Sequence, residues 1–199
     1  MTRAMLAVAQ SAAPGAEFVG WTSAKGPPAI QGRADGEAAG PPLLELVDQA
    51  AHEGMTGIVV GCFDDTALAA AQSRAPCPVI GIGQAGFHLC ALRGWRFSVV
   101  TTLSVSVPII EENVSRYGFG THLGRVRASE IPVLALEKDP AAATRIIEAE
   151  ALRAVTEDGV DAIVLGCAGM AGLTAHLRAA LPVPVVDGVE AAARLIGSI

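Results

Sequence analysis

A chain of 199 residues with a formal net charge of −6 is long enough for one large domain or two compact ones. Apolar residues make up 51% and charged residues only 17%, which excludes a disordered chain. The basic residues are scattered singly, which argues against a nucleic-acid surface or an anionic-membrane surface.

Thr2 to Ala13 reads as an amphipathic helix with Met5, Val8 and Ala12 on one side, and lacks the continuous apolar run of a secretory signal. Leu43, Leu44, Leu46, Val47, Ala50 and Ala51 form a helical stripe that stops at Gly54, a residue suited to the left-handed position after a helix. Ile58 to Val60 is a short continuous apolar run, as expected of a strand covered on both faces. Ala75 to Leu92 is uncharged, but its prolines, its glycines, Gln84 and His88 make it a poor membrane helix. A buried strand, turn and helix are expected there instead. Phe97 to Thr102 is a further strand, followed by a helix from about Ser106 to Tyr117. Asp139-Pro140 supplies an N-cap and a first helical residue, and Gly159 ends that helix. Ile163 to Leu165 is again a strand. With no targeting signal in view, the chain is expected to be soluble and cytoplasmic, with no membrane partner.

An internal repeat organises these elements. Glu53-Gly54-Met55-Thr56-Gly57-Ile58-Val59-Val60-Gly61-Cys62 aligns with Asp158-Gly159-Val160-Asp161-Ala162-Ile163-Val164-Leu165-Gly166-Cys167, 105 residues later. Pro78-Val79-Ile80 then aligns with Pro184-Val185-Val186. Alternating strands and helices predict right-handed βαβ units, and so an α/β fold of two pseudo-symmetric domains, each a parallel sheet flanked by helices. The expected boundaries are residues 1–94 plus 188–199 for the first domain and 95–187 for the second. The strand at Phe97 has no counterpart, because its equivalent would lie upstream of Met1. A domain without its first strand leaves an open edge or gap. The sequence is therefore expected to be truncated or to carry too late an assigned start.

The four cysteines are Cys62, Cys77, Cys90 and Cys167. None forms a C-x-x-C pair and no His stands at zinc spacing, so no metal site is expected. A chain of this size in a reducing compartment needs no disulfide, and Cys77 and Cys90 are read as packing residues. Cys62 and Cys167 differ. Each follows a Gly just past the carboxyl end of a strand, where ligands bind in open parallel sheets. Each is also expected near a helix N-terminus, which favours a thiolate. If the two halves face each other, the sulfurs approach one ligand from opposite sides, a geometry suited to taking a proton from one face of a carbon and returning it to the other.

Gly61-Cys62-Phe63-Asp64-Asp65-Thr66 and Gly166-Cys167-Ala168-Gly169-Met170 resemble the paired cysteine loops of the aspartate/glutamate racemase superfamily. The Gly-Cys-Phe-Asp-Asp form is similar to its hydantoin racemase branch. Further matches are Thr22-Ser23 leading to Gly26-Pro27 and Ile30, Val99-Val100-Thr101-Thr102, and Ile131-Pro132-Val133-Leu134. The resemblance covers essentially the whole chain. It implies two α/β domains with the active site between them and a last helix, Gly188 to Ile199, packed back on the first. The branch's usual opening strand and Asn-Pro-Asn-Thr-like loop have no match here. Ala29 and Gln31 stand where the branch commonly has Ser and Glu, and Ala34-Asp35-Gly36-Glu37 follows where it has Tyr-Asp-Glu-like residues.

The chemistry so implied is racemisation at a carbon next to a carbonyl, on 5-substituted hydantoins or allantoin, with Cys62 and Cys167 exchanging base and acid roles. Backbone N–H groups of Phe63 to Asp65 and Ala168 to Met170 would hold the ring oxygens, as an oxyanion hole does, with Thr101 and Thr102 as further donors. Asp64 and Asp65 equally suit helix capping and first-turn charge. No cofactor is expected, the partner is a small-molecule substrate, and a homo-oligomer is expected. Gly81-Ile82-Gly83-Gln84-Ala85-Gly86 fits a dinucleotide fingerprint, but its repeat equivalent has lost the spacing. His52, His88, His122 and His176 read as surface or packing residues, with His176 near enough to the Cys167 loop to tune it. Three rivals stay open: an arylmalonate-decarboxylase-like enzyme, against which Cys62 speaks, a maleate-isomerase-like enzyme, and a degenerate binding protein.

Overall fold

Every strand pairs in parallel, as the continuous apolar runs and intervening helices predict. The computed structural model describes residues 1–199. Helices α1 (Thr2–Ala12) and α2 (Arg33–His52) come first, then β1 (Ile58–Val60), α3 (Leu68–Arg74), β2 (Val79–Gly81) and α4 (Ile82–Leu92). After them come β3 (Phe97–Thr101), α5 (Val107–Arg116), β4 (Leu123–Ala128) and the short α6 (Ala135–Lys138). The chain ends with α7 (Pro140–Asp158), β5 (Ala162–Leu165), α8 (Thr174–Ala180), β6 (Val185–Asp187) and α9 (Gly188–Ile196). β1 and β2 form one small sheet, and the other strands form a second in the order β4-β3-β5-β6.

The repeat is visible in the ladder register. Ile58 pairs with Val79 and Val60 with Gly81, as Ile163 pairs with Val185 and Leu165 with Asp187. β3 then adds to the far side of β5, while the same side of β1 has no strand. Helix ends follow their sequence signals. Gly54 and Gly159 take left-handed φ of 73° and 60°, and the Asp139 carboxylate accepts the Ala142 N–H at 3.0 Å.

Helix α9 packs against α4 and α1 and so ties the end of the chain to its beginning. Between the larger sheet and these helices lies a core containing Phe63, Phe87 and Phe97. Phe87 stacks on Phe97 at 5.6 Å and meets Phe63 edge-on at 5.5 Å. A second core under α7 and α8 covers the other face of the sheet, and a third joins α2 and α3 to β1 and β2. Cys90 is fully buried, as expected, whereas Cys77 is only half-buried in the loop before β2 and is not part of the core. No helix is long and apolar enough to cross a membrane.

Two elements depart from the sequence expectation. α2 starts at Arg33, well before the apolar stripe, and carries Pro41 and Pro42 inside it. These prolines forfeit two helical N–H bonds, but the first turn is held independently by Asp35, which accepts the Gln31 N–H at 2.9 Å. β4 was hidden by its charges, Arg125 and Arg127. Arg127 is buried and forms a two-pronged pair with Asp158 at 2.6 and 2.8 Å, and also reaches Glu150 and Glu157 of α7. The guanidinium holds the Asp158 carboxyl below its usual range. This contribution is therefore complete above the ordinary carboxylate pKa and is lost as pH falls. Asp158→Ala, which strands the Arg127 charge, is expected to cost about 3 kcal/mol in urea unfolding at neutral pH and to flatten the acid side of the stability profile.

Candidate active site

Both cysteine loops leave the carboxyl ends of repeat-equivalent strands, β1 and β5. Gly166 shows why the residue before Cys167 is small. A Cβ there would lie 2.8 Å from both the Thr101 Cβ and a Val99 methyl, so only glycine lets the loop lie flat on β3. Its N–H donates to the Val100 carbonyl at 2.8 Å, and its carbonyl accepts the Thr101 hydroxyl at 2.9 Å. Beyond it, Cys167 caps a tight turn, Ala168–Leu173, with the Gly169 N–H directed at its Sγ at 3.4 Å. The Cys62 Sγ lies 3.2 Å from the Thr66 hydroxyl.

Cys62 and Cys167 line one cavity of about 160 Å³. Phe63, Asp64, Thr101, Thr102 and Ala168 are on its walls, as expected from their place in the loops. Asp65, Gly169 and Met170 are not. Met170 is fully buried in the core under α7 and α8. Asp65 turns inward and accepts the N–H groups of Gly83 and Gln84 at 3.1 and 2.7 Å and the Tyr117 hydroxyl at 2.9 Å. It thus caps α4, not the helix that follows it. Burial pushes its pKa up to about 7 against the pull of these donors. The dinucleotide-like glycines serve the same packing, since a Cβ on Gly83 would stand 2.4 Å from the Phe63 carbonyl oxygen.

The expected oxyanion donors are partly committed elsewhere. Asp65 and Met170 donate their N–H groups to the carbonyls of Cys62 and Cys167, at 3.1 and 3.0 Å. Of the other expected donors, Phe63, Asp64 and Ala168 border the cavity, and the Asp64 N–H is directed at the Cys62 sulfur. The thiols also differ from expectation. α3 begins only at Leu68, so no α-helix N-terminus faces Cys62. Burial pushes Cys62 up to about 12, with the negative charge of Asp64 adding to the shift. Burial likewise pushes Cys167 up to about 11; the Gly169 N–H opposes this and Asp64 again reinforces it. Both side chains are therefore thiols at neutral pH. Asp64 itself is raised to about 6 by burial, and the Ser106 hydroxyl donates to it at 3.1 Å. The Asn113 amide holds its backbone carbonyl at 2.8 Å.

The Asp/Glu/hydantoin racemase model matches residues 1–196. The chain belongs to that family. It is 48% identical over 169 residues to a hydantoin racemase of Rhizobium meliloti, an alignment covering 85% of this chain and 70% of the relative. Allantoin racemase from Klebsiella pneumoniae superposes with a TM-score of 0.91 at 38% identity, covering all of this chain and 83% of that one. Allantoin racemase from Pseudomonas fluorescens gives 0.94 at 34% identity, covering 99% and 84%.

In this member of the racemase family, sequence reasoning missed Met1, Ser106 and Val133 as cavity residues. Ser106 had a signal, since it follows the carboxyl end of β3 and precedes α5. Val133 stood in the Ile131-Pro132-Val133-Leu134 match, but its place at the cavity depends on a long-range contact in which its N–H donates to the Gln31 side chain at 3.0 Å. His176 is not near the thiols' electrostatics; it pairs with Glu148 at 2.6 Å on the surface. The contrast between the adjacent aspartates is testable. Asp65→Ala leaves three donors without their acceptor and is expected to destabilise the fold by about 2 kcal/mol in urea, clearly more than Asp64→Ala.

Proposed function

We propose that this chain, a racemase by family, interconverts the enantiomers of 5-substituted hydantoins or allantoin by two-base proton transfer between Cys62 and Cys167. The observation that carries this reading is the opening of both repeat-equivalent thiols into one small cavity. The names of the relatives, hydantoin and allantoin racemases, support the substrate class.

The hydrogen removed sits on a carbon next to a ring carbonyl. One sulfur, as thiolate, takes that proton, and the electron pair moves into the carbonyl as an enolate. The opposite thiol gives its proton to the other face, so the enzyme ends with the two roles exchanged. The N–H groups of Phe63 and Ala168 and the hydroxyl of Thr102 stabilise the enolate oxygen. Asp64 accepts a ring N–H. Its negative charge beside both thiols disfavours a substrate that carries its own carboxylate, and so selects a neutral ring over a free amino acid. No cofactor enters this chemistry.

Polarimetry with D- and L-5-substituted hydantoins and with allantoin tests the assignment, together with exchange of the hydrogen at C5 in heavy water. Cys62→Ser and Cys167→Ser are each expected to lower racemisation about a thousandfold or more. Full activity in either variant overturns the two-base reading, and a wild-type chain that neither exchanges nor racemises these rings overturns the function.

The raised thiols also set a pH dependence. The base form grows as pH rises towards their pKa values, so kcat/KM is expected to climb about tenfold per pH unit above neutrality. Asp64→Asn removes the charge that raises both thiols, and its rising limb is expected at lower pH than that of the wild type. A limb that stays put or moves upward contradicts the role given to Asp64.

A further inference from the structure

The repeat relates the two thiols, but their loops treat them differently. Thr66 stands four residues after Cys62, and its repeat equivalent, 105 residues later, is Ala171. Thr66 is buried, and the one hydrogen-bond partner of its hydroxyl is the Cys62 sulfur at 3.2 Å. The turn is shaped to bring it there. Asp65 and Ala67, on either side of Thr66, both hold left-handed φ, of 48° and 54°, a conformation that is costly for residues with a side chain. The bonds from the N–H groups of Gly83 and Gln84 to the Asp65 carboxylate keep that turn in place.

Cys167 has the backbone N–H groups of Gly169 and Met170 turned towards it, but no hydroxyl. The charges are unequal in the opposite sense. Asp64 belongs to the Cys62 loop, and its repeat equivalent is the uncharged Gly169. At Cys62 the Asp64 charge outweighs each donor, whereas at Cys167 the Gly169 N–H outweighs the Asp64 charge. The groups that face Cys62 are therefore Asp64 on its own loop and the Cys167 thiol on the opposite one. Asp65 is turned away to α4, and the Met1 ammonium on the cavity wall pairs with Glu137 of α6.

We propose that Thr66 is a positioning residue that levels the two thiols, its hydroxyl offsetting at Cys62 alone the penalty that Asp64 places on that sulfur. The inference rests on the two-cysteine reading given above. In that chemistry each turnover exchanges the acid and the base, so each sulfur must serve as thiolate for one of the two enantiomers. A gap of one pKa unit between the thiols makes one of the two enzyme forms about tenfold rarer than the other. A hydroxyl suits the task because it rotates, accepting the S–H of the thiol and donating to the sulfur of the thiolate. The bond to the thiolate is charge-assisted and the stronger of the two, so the gain falls on the base form. Thr66 is not on the wall of the thiol cavity, and so acts through Cys62 and not on the ligand.

The test follows alkylation of the intact protein by iodoacetamide at about pH 8, with Cys62 and Cys167 read separately by mass spectrometry of their peptides. Both thiols lie below their pKa values there, so the ratio of the two rates reports the ratio of the two thiolates. Thr66→Val, which keeps the shape and loses the hydroxyl, is expected to lower the Cys62-to-Cys167 ratio about tenfold. Thr66→Ala, which asks less of the packing, carries the same expectation. Thr66→Ser retains the hydroxyl and is expected to retain the ratio. Adding Asp64→Asn to Thr66→Val removes the charge that the hydroxyl opposes, and is expected to bring the ratio back towards that of the wild type. An unchanged ratio in Thr66→Val and Thr66→Ala overturns the proposal. Equal slowing at both cysteines also overturns it, since the whole cavity has then changed, and so does a fall in Thr66→Ser as large as in Thr66→Val. Labelling needs no turnover. A chain that racemises with an unchanged ratio contradicts this inference alone, and one that labels as expected without racemising contradicts the function alone.

Discussion

The contact of the Cys167 loop with β3 is the constraint on which the second half of the molecule rests. β3 lies inside the larger sheet between β4 and β5, and all five of its residues are buried. Its last turns of backbone receive Gly166 without a side chain between them. That close approach sets the height of Cys167 above the sheet, and the same strand end delivers Thr101 and Thr102 to the cavity wall. Packing and chemistry are thus carried by one feature, the absence of a Cβ at residue 166.

Burial then decides the resting state of the site. Thiols beside free helix N-termini are acidic; these are raised instead, because desolvation outweighs the few N–H groups turned towards them. The carboxylate of Asp64 pushes in the same direction from one wall. Its repeat equivalent is Gly169, which carries no charge, so the field across the cavity is lopsided even though the thiols are related by the repeat. A site with symmetric acids and bases but asymmetric charge can treat two mirror-image substrates alike in chemistry and still hold the ring in one sense.

Much of this was legible in the chain itself, for identifiable reasons. β1, β2, β5 and β6 could be placed because strands covered on both faces are written as unbroken apolar runs, and the Gly-Cys pairs mark the ends of β1 and β5. β4 was opaque, since Arg125 and Arg127 break that pattern and the acids that neutralise Arg127 lie far away on α7. The start of α2 was hidden by Pro41 and Pro42, which ordinarily open a helix instead of sitting within one. In the site, the paired cysteines announced themselves by repetition. The direction in which neighbouring side chains point did not, because Asp64 and Asp65 are chemically identical and only the left-handed backbone at Asp65, with φ of 48°, sends the second one inward.

That single divergence separates two kinds of evolutionary freedom at adjacent positions. Asp65 ties the Cys62 loop to the start of α4 and to Tyr117 just past the end of α5, so its identity is bound to the integrity of three segments at once. Asp64, one peptide bond away, is held from behind by Asn113 through its backbone carbonyl, which any residue possesses. A lineage can therefore exchange the side chain that meets the ligand while the loop keeps its shape, and substrate choice can drift without the scaffold being renegotiated.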